Sequence, residues 1–278
     1  MSEVRVLLAG RGLVESPRWH DDRLFFSDWS AGEVIAVDLA GRSEVIARVK
    51  SLPLCTAWLP DSRLLIVSSQ DGKLLCREPG GSVAVYADLG ATGWNDIVAD
   101  GRGNAYVNRV GFDMMAGEAF MPGFVVLVTP DGSVRAAADD FALPNGMAVT
   151  PDNSTLIVAD SHRHHLVAFD IGADGGLSGR RIWADLGDAA PDGICIDAEG
   201  AVWYADVPNQ RCVRVAEGGA VLRTVTLDRG GFACALGGPA GTTLFIVAAQ
   251  WRGMSELVAP GSGQVLATEV EVPGAGWL

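Results

Sequence analysis

The sequence has little positive charge. Its 278 residues include 21 lysines and arginines against 34 aspartates and glutamates, which gives a formal net charge of −13. A protein that binds nucleic acid needs a basic surface, and this sequence offers none, so we expect no nucleic-acid partner. The acidic balance favours attraction of cations but does not specify a substrate.

Long apolar runs are also missing. No stretch approaches the roughly 18 uninterrupted apolar residues that a membrane-spanning helix requires. The N-terminal residues, MSEVRVLLAGRG, carry no apolar core or cleavage signal typical of a secretory leader. We expect no membrane partner, and a monomer or small homo-oligomer.

Cysteine usage indicates a reducing compartment. The five cysteines are odd in number and show no CxxC spacing, and they are Cys55, Cys76, Cys195, Cys212 and Cys234. Cys195 lies within the apolar run ICI, where a cysteine behaves as a small buried hydrophobic residue. We therefore predict a cytoplasmic protein.

Two common catalytic signatures are absent. The sequence contains no GxSxG motif, which argues against a serine hydrolase. Its GxG pairs lack the strand-to-helix context of a nucleotide-binding fingerprint.

What the sequence does contain is a six-fold repeat. Similar segments start at residues 15, 54, 95, 145, 192 and 232, for example NGMAVTPDNSTLIVAD and DGICIDAEGAVWYAD. The copies that begin at Leu54 and Phe232 are the weakest. A period of roughly 40 to 50 residues built from strands is typical of propeller blades. The sequence therefore predicts an all-β fold, a six-bladed β-propeller that forms a single domain over residues 1–278.

The fourth repeat shows the order within one blade. NGMAVT, TLIVAD, HLVAFDI and RRIWADLG are separated by turn residues and predict four antiparallel strands. The last repeat is one strand short, and VRVLLAG near the N-terminus precedes the first inner strand. We expect this N-terminal strand to complete the last blade and so remove an open sheet edge.

Hairpin geometry predicts two rings of residues at one end of the axis. The first ring, at the start of the inner strands, is Glu15, Leu54, Asn95, Asn145, Asp192 and Phe232. The second ring, at the end of the second strands, is Asp28, Ser69, Arg109, Asp160, Asp206 and Ala249. Four oxygen-bearing side chains at one repeat position predict a metal site, because carboxylate and amide oxygens suit Ca²⁺, Mg²⁺ or Mn²⁺ and carboxylates also accept Zn²⁺.

The chain resembles the SMP-30/gluconolactonase/luciferin-regenerating-enzyme family. The resemblance rests on VESPRW around Glu15, WND around Asn95, LPNGMAV around Asn145 and PDGICID around Asp192. It implies one divalent cation, calcium first and zinc, manganese or magnesium as alternatives, bound by Glu15, Asn145 and Asp192. It also implies that Asn95 is a further ligand or a substrate contact, and that the substrate is a lactone or a related ester.

One position departs from the family pattern. Members that hydrolyse sugar lactones commonly carry an arginine two residues before the asparagine of blade 3, where this chain has Gly93 in TGWND. A less hydroxylated lactone is therefore expected. Arg109 either supplies the missing guanidinium as a substrate contact or pairs with a neighbouring aspartate.

Several upper loops carry further candidates. The longest contains Phe112, Met114, Met115, Phe120 and Met121, which predict either an apolar wall over the site or packing onto the adjacent blade. Trp29 and Trp251 are candidates for the mouth of the site. His162, His164 and His165 form a histidine-rich loop that is more typical of solvent exposure than of a metal site.

These residues together predict a metal-dependent lactonase. Asp192 is the first candidate for the base that deprotonates the attacking water, with Asp160 or Asp206 as alternatives. The competing hypotheses are a metal-dependent arylesterase or phosphotriesterase, and a non-catalytic binding propeller stabilised by its metal.

Overall fold

The computed structural model describes residues 3–114 and 116–275. Within this part of the chain the strands form six four-stranded antiparallel sheets, and no α-helix is present. The prediction of a six-bladed propeller is confirmed. Met115, a member of the long upper loop, lies outside the described residues, and the assignment of residues 1–278 to one domain stays a prediction.

The first three blades follow each other directly along the chain. After the N-terminal strand β1 (Arg5–Arg11), blade 1 contains β2 (Val14–His20), β3 (Arg23–Asp28), β4 (Glu33–Val37) and β5 (Ser43–Arg48). Blade 2 contains β6 (Leu54–Trp58), β7 (Leu64–Ser68), the 3-10 turn Ser69–Asp71, β8 (Lys73–Arg77) and β9 (Val83–Asp88). Blade 3 contains β10 (Trp94–Ala99), β11 (Ala105–Arg109), β12 (Gly123–Val128) and β13 (Val134–Phe141).

The remaining blades complete the ring. Blade 4 contains β14 (Pro144–Val149), β15 (Thr155–Asp160), β16 (His165–Ile171) and β17 (Leu177–Asp185). Blade 5 contains β18 (Pro191–Ile196), β19 (Val202–Asp206), β20 (Arg211–Val215) and β21 (Val221–Thr226). The last elements are β22 (Gly230–Gly237), β23 (Thr243–Ala249), the short hairpin β24 (Trp251–Gly253) and β25 (Leu257–Val258), and β26 (Gly263–Glu269).

Blade 6 is built from both ends of the chain. Its sheet has the order β1-β26-β23-β22, so the N-terminal strand is its outer strand, and this prediction is confirmed. Arg5 pairs with Ala267 and Arg11 with Gly263 along the β1–β26 ladder. The pairing covers what would otherwise be a free edge of β26.

The core lies between the blades. Six buried apolar clusters occupy the six blade–blade interfaces, including the interface between blades 6 and 1, which Leu7, Val14, Phe26 and Phe245 help to fill. Because the inner strands of each sheet bury both faces against the neighbouring blades, they are apolar almost throughout, whereas outermost strands such as β13 and β17 are largely exposed. We call the end of the axis where the inner strands begin the upper end and the opposite end the lower end.

Candidate metal centre at the upper end of the axis

A β-bulge marks the upper end of five of the six inner strands. In β2 the pairing shifts between Glu15 and Arg18, and equivalent shifts occur in β10, β14, β18 and β22. The bulge adds one residue to the inner strand. It turns a side chain away from the face to which the regular alternation of the strand would direct it. Glu15, Asn95, Asn145 and Asp192 all lie at this bulge.

The residue after each bulge position is adapted to crowding at the axis. Gly146 has no room for a side chain, since an added Cβ would lie 2.5 Å from the carbonyl oxygen of Asp192. A Cβ on Gly193 would overlap the side chain of Ala233. In blade 1 the same place is taken by Ser16, which has a φ of 53° and hydrogen-bonds through Oγ to both the N–H (2.8 Å) and the carbonyl of Thr56 (3.2 Å).

The structure brings the four predicted polar side chains together. Asn95 Nδ2 lies 3.4 Å from Asn145 Oδ1, and Asn145 hydrogen-bonds the Asp192 carboxylate. The Asp192 carboxylate in turn interacts electrostatically with that of Glu15. Glu15, Asn95 and Asn145 line a small pocket with Trp29 and Cys55.

Two first-ring residues are not where the sequence predicted them. Leu54 is fully buried in the core, and the neighbouring Cys55 lines the pocket instead. Blade 2 has no bulge, so its side chains keep a strict alternation between faces. In blade 6 the register equivalent of Glu15 is Gly231 rather than Phe232, because Gly231 pairs with Ala248 as Glu15 pairs with Ser27.

The second ring has a structural role that differs from the prediction. The Asp28, Asp160 and Asp206 side chains are 3%, 0% and 0% exposed, respectively, so they do not open onto the axis. Asp160 accepts hydrogen bonds from the N–H groups of Ala142 and Leu143, both at 2.9 Å. Asp28 and Asp206 likewise accept backbone N–H groups of the loops that lead into their blades. These carboxylates hold the loops and are unavailable as proton acceptors for a ligand on the axis.

Two site residues were missed by sequence reasoning. Asp96, next to Asn95, accepts the Met147 N–H at 3.0 Å and faces Arg18 Nη2 at 3.5 Å. Arg18 also donates to the Ile97 carbonyl at 2.9 Å. Arg18 lies in the motif VESPRW and Asp96 in the motif WND, but only the bulge geometry shows that the two side chains reach the axis.

The electrostatics of the pocket are dominated by buried carboxylates. Burial raises the pKa of Glu15 from 4.5 to about 8, with the Asp96 charge adding to the effect and the Ser16 N–H opposing it. Burial, followed by repulsion from Glu15 and Asp96, raises the pKa of Asp192 well above its usual value. Burial also raises the pKa of Asp96, against the opposing charge of Arg18. The Arg18 guanidinium therefore opposes the charge of two of these three carboxylates, those of Asp96 and Glu15.

The donor set fits a hard divalent cation. No group of three or more His, Cys, Asp or Glu side chains is arranged as a metal site among the described residues. The candidate donors are instead two carboxylates and two amides, the oxygen ligands that Ca²⁺ or Mg²⁺ takes. Arg18 pairs with Asp96 and offsets only part of the charge of Glu15, so most of the negative charge of ionised Glu15 and Asp192 is left for a bound cation to balance.

Arg109 lies beside Gly93 at the rim. Its Nε donates to the Thr92 carbonyl at 2.5 Å, and its guanidinium carbon lies 5.6 Å from the centre of the Phe124 ring. A Cβ on Gly93 would be 3.7 Å from Arg109 Nε, so the arginine covers the place from which a side chain at position 93 would project. The alternative of an aspartate partner receives no support from these contacts, and a substrate contact stays a prediction.

The apolar residues of the longest upper loop differ in exposure. Phe120 and Met121 are 55% and 60% exposed, so these two side chains do not pack onto the adjacent blade, whereas Phe112 and Met114 are half-buried. Phe112 contacts Phe120 edge to face, with ring centres 5.5 Å apart. Trp251, on β24, is 38% exposed and contacts Phe232 in the same way.

The histidine-rich loop is separate from the pocket. None of its three histidines is among the residues that line the pocket. His164 Nδ1 lies 2.8 Å from the Ala189 carbonyl, an interaction with the loop into blade 5. Burial lowers the pKa of His165, so this ring favours its neutral form.

Fold and site together define a six-bladed propeller with an acidic, amide-rich pocket on its axis. The family model described as "SMP-30/Gluconolactonase/LRE-like region" matches residues 13–250. The chain belongs to this family, and the resemblance in the sequence is confirmed. No helix in the described part of the chain has the length and apolar character to span a membrane.

Two individual sequence relatives match only part of the chain. The chain is 30% identical over 158 residues to a 6-deoxy-6-sulfogluconolactonase from Pseudomonas putida, covering 55% of this chain and 54% of that protein. It is 31% identical over 173 residues to regucalcin from Danio rerio, covering 60% and 58%. The chain thus spans a little over half the length of these relatives. A calcium-binding protein, regucalcin, from Agrobacterium tumefaciens shares the fold, with a TM-score of 0.82, 23% identity and coverage of 98% and 95%.

Proposed function

We propose that this protein is a divalent-cation-dependent lactonase, a hydrolase of cyclic esters. The observation that carries the proposal is the convergence of Glu15, Asn95, Asn145 and Asp192 at the axis, where the carboxylates of Glu15, Asp96 and Asp192 outnumber the nearby guanidinium of Arg18. The family and the relative named as a sulfogluconolactonase support the lactone as substrate class. The structural neighbour described as calcium-binding supports Ca²⁺ as the first candidate ion, with Zn²⁺, Mn²⁺ or Mg²⁺ as alternatives.

In this mechanism Glu15, Asn145 and Asp192 would hold the cation. A bound cation would supply Lewis-acid polarisation of the carbonyl and charge to stabilise the developing oxyanion. Asn95 would orient the substrate, since its amide lies beside that of Asn145 at 3.4 Å. Asp96 and Arg18 hold the inner strands in place below these groups and keep one carboxylate neutralised.

Asp192 is the proposed base. It would take a proton from the water that attacks the lactone carbonyl and later return it to the leaving alkoxide. Asp160 and Asp206, the two alternatives, have their oxygens occupied by loop amides, which supports the assignment to Asp192. In the cation-free protein burial raises the pKa of Asp192, and a bound cation would lower it again, so that Asp192 would be ionised and able to accept a proton.

The rim favours a sparsely hydroxylated substrate. Gly93 offers no side chain to hydrogen-bond ring hydroxyls, and the exposed Phe120 and Met121 present apolar surface. A hydrogen bond to a charged group contributes about 1.5–3 kcal/mol, so its loss would produce at least a tenfold preference. Alkyl or lightly substituted lactones are therefore the proposed substrates, with Arg109 as the residue that could restore binding of polyhydroxy lactones.

A pH-stat assay on a lactone panel tests the proposal. Wild-type protein and Asp192→Asn are supplied with gluconolactone, an alkyl γ-lactone, an aryl ester and a phosphotriester, each with Ca²⁺, Zn²⁺, Mn²⁺ or Mg²⁺ and with EDTA. The proposal expects the wild type to hydrolyse a lactone with a divalent cation, Ca²⁺ first, and not in EDTA. Hydrolysis of the aryl ester or phosphotriester alone would move the protein to another esterase class, and no turnover of any substrate with any of the four ions would favour a binding propeller.

The Arg109→Ala variant tests the substrate class separately. If the rim argument is right, the wild type has a higher kcat/KM on the alkyl lactone, and Arg109→Ala lowers only the weaker activity on gluconolactone. Efficient gluconolactone hydrolysis that survives Arg109→Ala would show that the substrate argument is wrong.

We further propose that the reaction takes place in the reducing cytoplasm, which agrees with five cysteines that are all free in this structure.

A further inference from the structure

The lower half of the central channel contains a cavity that the proposed function does not use. It has a volume of about 400 Å³ and is bounded by the inner strands of five blades. Arg18 separates it from the upper pocket, since this residue lines both spaces. Most of its wall is apolar, and two thiols, of Cys195 and Cys234, reach it.

These two thiols belong to neighbouring blades. Cys195 lies on β18 of blade 5 and Cys234 on β22 of blade 6, and their Sγ atoms are 3.7 Å apart. Cys195 is half-buried and Cys234 is 1% exposed. A disulfide needs an S–S distance of about 2.05 Å, so the two sulfur atoms must approach each other by less than about 2 Å. Rotation of the two side chains is the simplest movement that brings them together.

We infer that Cys195 and Cys234 form a reversible disulfide across blades 5 and 6 when hydrogen peroxide enters the lower cavity. The Cys195 sulfur attacks a peroxide oxygen, the O–O bond breaks, and a sulfenic acid and one water form. The Cys234 sulfur then attacks the sulfenic sulfur, the S–O bond breaks, the S–S bond forms and a second water leaves. Two electrons pass from the two thiols to the peroxide, and two protons leave with the two waters.

Access selects Cys195 as the first sulfur to react. It is the more exposed of the two, and the cavity reaches it from the lower face. The hydrogen bond with Cys234, together with burial, raises the pKa of Cys195, and burial raises the pKa of Cys234, so the reaction is slow at neutral pH and faster as the pH rises. A third thiol, Cys212, is completely buried in the same apolar cluster as Cys234 and does not line the cavity.

The bond would join the blade that carries Asp192 to the blade that closes the ring. Blade 6 is held together by strands from both chain ends, so a link between β18 and β22 would anchor the closure covalently. The bridge closes a loop of about 40 residues. In the unfolded chain such a loop lowers the conformational entropy, which stabilises the folded protein relative to the unfolded one. For a chain of this size we expect Tm to rise by roughly 5 °C on oxidation.

Tryptic digestion can identify the bond without ambiguity. Cleavage after arginine places the three neighbouring thiols in separate peptides, which span residues 182–211, 212–214 and 230–252. The full-length protein is treated with hydrogen peroxide at about pH 9 until its free-thiol content is constant. The expected product links peptide 182–211 to peptide 230–252 with the loss of two hydrogens.

Variants separate the bond from general oxidation. Cys195→Ser and Cys234→Ser should each prevent the link and the rise in Tm, whereas the matched control Cys76→Ser, also buried, should retain both. Dithiothreitol should return the oxidised wild type to its original Tm. A link that involves the Cys212 peptide, or complete oxidation without any link between peptides 182–211 and 230–252, would overturn the proposal.

Discussion

Replacing Glu15 by glutamine should stabilise the cation-free protein at alkaline pH while it removes cation binding. Burial raises the pKa of Glu15 from 4.5 to about 8, so ionising this group in the folded, cation-free protein costs up to about 5 kcal/mol. Since the folded-state pKa is above the unfolded one, this stability is present below about pH 4.5 and is lost as the pH rises through about 8. Glutamine has no proton to lose and avoids that loss.

Thermal unfolding in EDTA measures the effect. At about pH 9 we expect Glu15→Gln to have a Tm roughly 8 °C above that of the wild type, and at about pH 5 the two should agree closely. Excess Ca²⁺ should raise the Tm of the wild type and leave that of the variant unchanged, because ligands stabilise only the form that binds them. The control Glu217→Gln, at an exposed glutamate, should follow the wild type throughout.

The reasoning fails if Glu15→Gln shows no gain in stability over the wild type when the pH is raised from 5 to 9. Such a result would mean that the Glu15 carboxylate is already compensated within the protein. The pocket would then have no electrostatic need for a cation.

Three further predictions concern the pocket, its scaffold and its rim. Asp192→Asn should lower kcat/KM for the preferred lactone at least 100-fold without loss of Tm in EDTA, since the amide avoids the cost of ionising a buried carboxyl, measured by pH-stat and thermal unfolding; activity within a few-fold of wild type would remove Asp192 from the mechanism. Gly193→Ala should cost about 1–3 kcal/mol in urea unfolding because its Cβ would overlap Ala233, whereas Gly80→Ala, with open space around it, should be nearly neutral; equal effects would contradict the close approach of the strands. Phe120→Ser with Met121→Ser should raise KM for alkyl lactones more than for gluconolactone, and an equal change for both substrates would show that these side chains do not contact the substrate.

The upper ring was predictable because it depends on repeat position alone. Each inner strand starts at the same end of the axis, so aligned polar residues such as Asn145 and Asp192 must meet there. The N-terminal closing strand was predictable for a similar reason, since the last repeat lacked one strand and only residues near β1 could supply it.

The side-chain directions near the ring were not predictable. They depend on a one-residue bulge that five blades have and blade 2 lacks, and the sequence carries no spacing signal for it. For this reason Leu54 was predicted at the ring position that Cys55 occupies, and Phe232 at the ring position that Gly231 occupies. Asp160 was placed on the axis, although its oxygens bind the loop amides of Ala142 and Leu143.

The central claim is tested most directly by calcium titration and lactone hydrolysis on the same EDTA-stripped sample. The account predicts that wild-type protein binds one Ca²⁺ per chain with release of protons, because the raised pKa values of Glu15 and Asp192 require deprotonation before ligation. Lactonase activity should return in proportion to the bound ion and should not return in Asp192→Asn. Full lactonase activity in the stripped wild type, with no ion bound, would contradict the account.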